Sequence, residues 1–191
     1  PEVVSVAAGA LTSVPWPSIV DNYRIRTGTE LTEFSRFRLS APDGIPIEIA
    51  TERGRPGQVV AGLVYLTGGW MTDIEVVGTY DGNLDELAGL QVANRAAASA
   101  ASVVRFVYVL NRVTKRYEYM GVDVMPQAYP TDEEGPAVFV LNPFYEPADF
   151  VDPDTGEVIV RIYTAGLGAT PSHTIYHDFI QIGANPFNPI P

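Results

Sequence analysis

Phe150-Val-Asp-Pro-Asp-Thr-Gly-Glu-Val-Ile-Val-Arg-Ile-Tyr-Thr164 is the stretch that decides the fold. Asp152 to Gly156 has the composition of a tight turn, with Pro153 suited to its second position and Asp and Gly around it. Behind the turn, Val158, Val160 and Ile162 alternate with Ile159, Arg161 and Tyr163. Period-two alternation after a Pro/Asp/Gly turn reads as a β-strand with two unlike faces.

The same pattern recurs on both sides. Val104, Phe106, Tyr108 and Leu110 oppose Val103, Arg105, Val107 and Val109. A turn at 111–116 follows, and the chain returns over Tyr117–Met125. Ala137–Leu141 and Thr174–Ile182 read as further strands. Upstream, strands are expected at the start of the chain (Val4, Val6), over Asp21–Gly28, over Phe34–Leu39, and at Ile45, Ile47 and Ile49. Two more are expected over Val59–Leu66 and Ile74–Tyr80, with turns at Ala41–Gly44, Arg53–Gly57 and Tyr129–Gly135. About ten short strands with turn signals roughly every ten residues indicate an all-β sandwich or barrel, not an α/β enzyme core.

The segment from Leu84 to Ser102 has two readings. Asn83 followed by Glu86 resembles a helix cap, and the alanines of 96–101 favour helix. Leu90, Val92 and Asn94 can equally alternate as a strand. The fold therefore contains at most one short helix, near 84–100. Residues 1–183 are expected to form a single sandwich domain, more irregular over 1–83, with 184–191 as a proline-rich tail or linker.

The 191 residues carry 12 basic and 23 acidic side chains, a net charge of −11. Phosphate neutralisation needs clustered cations, so a nucleic-acid partner is excluded. No apolar run approaches the ~20 residues of a membrane span. There is no cysteine, hence neither a disulfide framework nor a thiolate zinc site. The chain opens at Pro1 without a methionine or signal peptide, which reads as a processed form or an excised piece of something longer.

No catalytic constellation stands out. His173 and His177 are separated by three residues in a strand-like run, which places their side chains about 13 Å apart. Two ligands of one zinc lie within about 4 Å. No Gly-x-Ser-x-Gly elbow and no phosphate-binding glycine loop occur. Asp152 and Asp154 look like the front of a calcium loop, but the distant bidentate glutamate is missing, and a β-turn explains them more simply. Trp70, behind Gly68-Gly69, is the leading candidate for an exposed ring on which a sugar could stack, with Tyr65 and Tyr80 as companions; a buried anchoring role is the competing reading.

Val104-Arg-Phe-Val-Tyr-Val-Leu-Asn111, Arg116-Tyr-Glu-Tyr-Met120, the Phe150–Ile162 turn and strand, and Tyr176-His-Asp-Phe-Ile-Gln-Ile182 together resemble galactose-binding-like jelly-roll modules of large bacterial secreted and surface proteins. The resemblance is confined to the C-terminal half. It implies an all-β, two-sheet antiparallel jelly-roll sandwich, and a non-catalytic extracellular or cell-surface module that binds a polysaccharide or packs on neighbouring domains, with no cofactor beyond one structural calcium. Two alternatives remain: a purely structural cell-envelope or virion component, and a small glycoside hydrolase working through two carboxylates. The hydrolase requires a cleft with two acids about 5–10 Å apart.

Overall fold

A computed structural model describes residues 22–32, 46–54, 59–60, 63–64, 69–127 and 136–185. The strands expected at the start of the chain and over Phe34–Leu39, the Ala41–Gly44 and Tyr129–Gly135 turns, and Tyr65 lie outside the described residues. The described strands are β1 Asn22–Thr27, β2 Thr29–Glu30, β3 Ile47–Ala50, β4 Glu52–Arg53, β5 Val59–Val60, β6 Leu63–Val64, β7 Trp70–Thr79, β8 Gly89–Ala98, β9 Val103–Asn111, β10 Arg116–Val124, β11 Ala137–Val140, β12 Glu157–Gly166 and β13 Thr174–Asn185.

The fold is all-β, with two antiparallel sheets. One, sheet A, has the order β1-β7-β12-β9-β10, with β4 also paired to β7. The other, sheet B, has the order β11-β8-β13-β3-β2. Long antiparallel ladders of this kind require non-local partners, and β12 sits at the centre of sheet A between β7 and β9.

The core lies between the sheets. Ile74, Val76, Val107, Val109, Val158, Val160 and Ile162 project from sheet A onto Ile47, Ile49, Leu90, Val92, Ile180 and Ile182 of sheet B, all buried. The two faces read from the alternation in β12 are thus real: its even-numbered valines and isoleucine are core. Burying each such side chain contributes about 1.5–3 kcal/mol, so this stripe dominates the stability of the sandwich. Gly156 closes the preceding turn at a φ of +72°, and a Cβ there would stand 2.0 Å from the Tyr80 carbonyl oxygen. Only glycine fits.

One open reading closes and two boundaries shift. Residues 84–102 follow the strand reading, with no helix beyond one 3-10 turn, Leu84–Glu86. Asn83 does cap that turn, accepting a hydrogen bond from the Asp85 amide, but the chain then enters β8. Alanines 96–98 pair with Ile175–His177 in the sheet, so tertiary pairing overrides their helix propensity. The run read as one strand over 59–66 forms two short strands paired with each other, Val59 opposite Val64 and Val60 opposite Leu63. At the other end, β13 continues to Asn185, two residues into the stretch read as tail.

Three register shifts set side-chain direction, the first in β1 between Ile25 and Thr27, where Arg26 stands. In β10 the register shifts between Tyr119 and Gly121. Tyr117 and Tyr119 therefore face outward with Val122 and Val124, while Asp123 turns inward opposite Arg105. In β13 the shift between His177 and Phe179 lets both His177 and Ile180 face the core side. Asp178 lies 3.5 Å from Arg95, both buried.

Arg105 enters the core itself. Its guanidinium is clamped by both oxygens of Asp123 and donates to the Asn94 carbonyl at 2.8 Å and to the Asn94 side-chain oxygen at 2.7 Å. The Phe139 ring lies 5.1 Å away. Asn94 in turn donates to the Phe179 carbonyl and approaches His177 Nδ1.

Candidate functional site

The outward face of sheet A carries a cluster of aromatic and charged side chains. Strand register lays them out in rows. One row runs Arg24, Glu75, Arg161, Tyr108, Tyr119 across β1, β7, β12, β9 and β10. The neighbouring rows hold Val77, Ile159, Leu110 and Tyr117 on one side, and Asp73, Tyr163, Phe106 and Val122 on the other.

Side chains of distant strands meet over this face. β7 and β10 are three strand spacings apart, about 14 Å on a flat sheet. Yet the Tyr117 hydroxyl of β10 donates to Glu75 of β7. Both side chains lie along the sheet to meet, and with Arg161 between them they frame the hollow of this face. The Arg161 guanidinium sits 5.4 Å from the Tyr117 ring centre in the middle of the hollow.

The polar groups are mutually fixed. Arg161 grips Asp73 with Nε and Nη2, and Arg26 joins Tyr117 on Glu75. Planar bidentate pairing of this kind holds both partners in one orientation. Burial raises the Glu75 pKa, but hydrogen bonds from Tyr117 and Arg26 and the charges of Arg26 and Arg161 outweigh it, so the carboxyl stays below its ordinary value. Tyr117 moves the other way, pushed up to about 12 by burial and by its bond to the Glu75 carboxylate. Arg161 is raised by its hydrogen bonds to Asp73.

Beside this network the face is aromatic. Tyr119 is 48% exposed and packs at 5.6 Å on the buried Tyr108. Phe106 and Tyr163 pair at 6.0 Å. At the far end of the face Met71, Val104, Tyr163 and Ala165 are buried in a small cluster of their own. The open part of the hollow thus spans Arg24 to Tyr119.

The residues singled out from sequence lie elsewhere. Trp70 opens β7 in the phase of the core-facing residues, partly buried, opposite Arg53, whose guanidinium is 5.9 Å from its ring. Tyr80 follows β7, donating to the Asn83 carbonyl at 3.0 Å. It lines an open cleft of about 300 Å³ with Asp81, Asp152, Asp154 and Thr155. Within that cleft Asp152 Oδ1 accepts from the Asp154 and Thr155 amides, as a turn carboxylate does, and these bonds hold its pKa below the usual value. Among the described residues no three histidine or acidic side chains come together in a metal-binding group. His173 bonds the Pro171 carbonyl and His177 faces Asn94, so the two histidines serve separate places.

The missed residues were visible as a pattern. Phe106, Tyr108 and Leu110 alternate with Arg105, Val107 and Val109, and a lone arginine suggests the wrong face as the wet one. Arg105 is in the core, and the aromatic set faces out. Asp73 and Glu75 stand two apart on β7, which places their Cα atoms about 6.8 Å apart on one face.

No family model matches this chain, and no curated protein matches it. Among solved structures, TmCBM61 in complex with β-1,4-galactotriose aligns with a TM-score of 0.44 at 7% identity, over 87% of this chain and 90% of that one. A mutant of the family 29 carbohydrate-binding module CBM29-2 aligns with a TM-score of 0.34 at 9% identity, over 88% and 99%. A Bacillus licheniformis β-glucanase aligns with a TM-score of 0.34 at 10% identity, over 88% and 97%.

Proposed function

We propose that this chain is a non-catalytic glycan-binding module acting outside the cell or at its surface, and that the glycan lies in the hollow of sheet A. The observation that carries this reading is the Tyr117–Glu75–Arg161–Asp73 network spanning four strands beside the half-exposed Tyr119. A sugar ring offers an apolar C–H face and a rim of hydroxyls. Tyr119 presents a ring for the first, and the fixed arginines and carboxylates present donors and acceptors for the second. Because the polar groups already hold one another in place, little side-chain freedom is left to lose on binding. The kinship with galactose-binding-like jelly rolls belongs to the same proposal.

One observation favours a second reading, hydrolysis by paired carboxylates: the spacing of Asp73 and Glu75 suits it. Their environment does not. A glycosidase needs one carboxyl still protonated near neutral pH, and Glu75 is held ionised, while Asp73 is locked by Arg161. Binding is the better account.

Affinity electrophoresis through a panel of polysaccharides tests the proposal. Retardation by at least one polymer is expected, and Tyr119→Ala should weaken it about tenfold, the loss of one stacked ring. Trp70→Ala, altering a ring outside the hollow, should leave it within about twofold. Full retention by Tyr119→Ala would move the site off this face, and release of reducing ends from the retarding polymer would overturn the non-catalytic reading.

A further inference from the structure

Resting on that reading, we infer that the glycan is anionic: a polymer of acidic sugars whose charged groups dock on Arg24 and Arg26 while a ring lies over Tyr119. The argument starts from an imbalance. Among the described residues, the open hollow holds three arginines, Arg24, Arg26 and Arg161, against two carboxylates, Asp73 and Glu75. The carboxylates are both engaged, Asp73 by Arg161 and Glu75 by Arg26 and Tyr117. Arg24 stands exposed beside Glu75 on β1 and makes no ion pair or hydrogen bond with a described residue. Arg26 keeps 40% of its side chain in solvent despite its bond to Glu75.

Two planar guanidinium forks on one exposed rim, one of them without an anion, match a carboxylate or sulfate better than a neutral hydroxyl. A chain of net charge −11 with 12 basic residues places three of them here. The overall negative charge does not forbid an acidic ligand, because beyond about 8 Å it is screened at physiological salt and the local charge of the hollow decides. Register fixes the reach. Arg24 and Tyr119 lie in one row, four strand spacings apart, about 19 Å along the sheet. A ligand that touches both therefore lies across the strands rather than along one of them.

The test compares polygalacturonate, its methyl-esterified form, a sulfated galactan and a neutral galactan, using the intact chain in affinity electrophoresis. We expect retardation by polygalacturonate, lost on esterification, reversed by about 0.5 M salt, where screening reaches within the contact distance, and weakened about tenfold in Arg24→Gln through loss of one charge-assisted contact. Retardation by the sulfated galactan with the same salt and Arg24→Gln response extends the inference to sulfate esters. Equal retardation by both polygalacturonate forms, or by the neutral galactan alone, overturns the charge assignment and leaves glycan binding standing. An unchanged Arg24→Gln overturns the docking point. Retardation by none of the four, with another neutral polymer of the panel retained, overturns the inference alone; retention by nothing overturns both readings.

Discussion

Arg105 and Arg161 make the same bond in opposite places. Each grips one aspartate through Nε and Nη2, and each lies near an aromatic ring. Arg105 is 1% exposed, between the sheets, and its Nη1 donates to both Asn94 oxygens. Arg161 keeps 19% of its side chain exposed, on the outward face, against Tyr117 and within reach of solvent. One clamp ties the sheets together, and the other shapes a surface. A bidentate pair is thus no guide to role; what decides is whether the spare donors of the guanidinium are satisfied inside the protein or left facing a ligand.

The largest effect should come from cutting the inner clamp. Arg105→Met fits the space but strips two donors from Asn94, whose side chain is fully buried, and leaves Asp123 unpaired. Asp123 is 30% exposed on its side chain and can rehydrate, so most of the cost comes from the orphaned Asn94 oxygens. Urea unfolding should show a loss of about 3–5 kcal/mol. A loss under 1 kcal/mol would mean that the core does not depend on this clamp.

A pH dependence sharpens the contrast, because only the inner clamp adjoins a buried histidine. Burial, reinforced by the charge of Arg105, lowers the His177 pKa to about 3. The folded state therefore keeps His177 neutral while the unfolded chain protonates it below about 6.5. Where the unfolded state binds more protons, stability rises with pH. The His177 contribution is full above about pH 6.5 and is lost as pH falls toward 3. Between pH 7 and 5 this amounts to about 2 kcal/mol. His177→Gln should flatten the curve of unfolding free energy by that amount, whatever its own baseline stability. An unaltered slope would place the titration elsewhere.

How much of this could be read in advance differs between the two clamps. Alternation in Val158, Val160 and Ile162 identified the centre of sheet A, because a strand buried on one face writes its pattern in every second residue. Asp123 could not be placed that way. A bulge between Tyr119 and Gly121 reverses the phase of β10, and only this turns Asp123 toward Arg105. The hollow was hidden for another reason. Arg24, Glu75, Arg161, Tyr108 and Tyr119 are adjacent through four strand pairings, none of which is local in sequence except β9 with β10. A tryptophan beside two glycines reads as an exposed ring, yet the phase of Trp70 in β7 sets it with the core-facing residues, partly buried.

The smallest stability effect belongs to the outer clamp, where the functional effect should be large. Arg161→Gln removes the bidentate partner of Asp73, which is only 2% exposed. Taken alone, an abandoned buried carboxylate would be expensive. The departing guanidinium, however, was itself partly in solvent, so water can enter the space and solvate Asp73. The expected loss is about 1–2 kcal/mol, the low side of the range for an unpaired buried acceptor. Binding should suffer more. Tyr117 loses the cation that packs on its ring, and Glu75 loses one of the positive charges that lower its pKa. Retention on the polymer that holds the wild-type chain should fall at least tenfold, a loss of one well-placed charged contact. If Arg161→Gln instead destabilised the fold as severely as Arg105→Met and left binding per folded molecule intact, the outer clamp would be structural too, and the difference between the two would disappear.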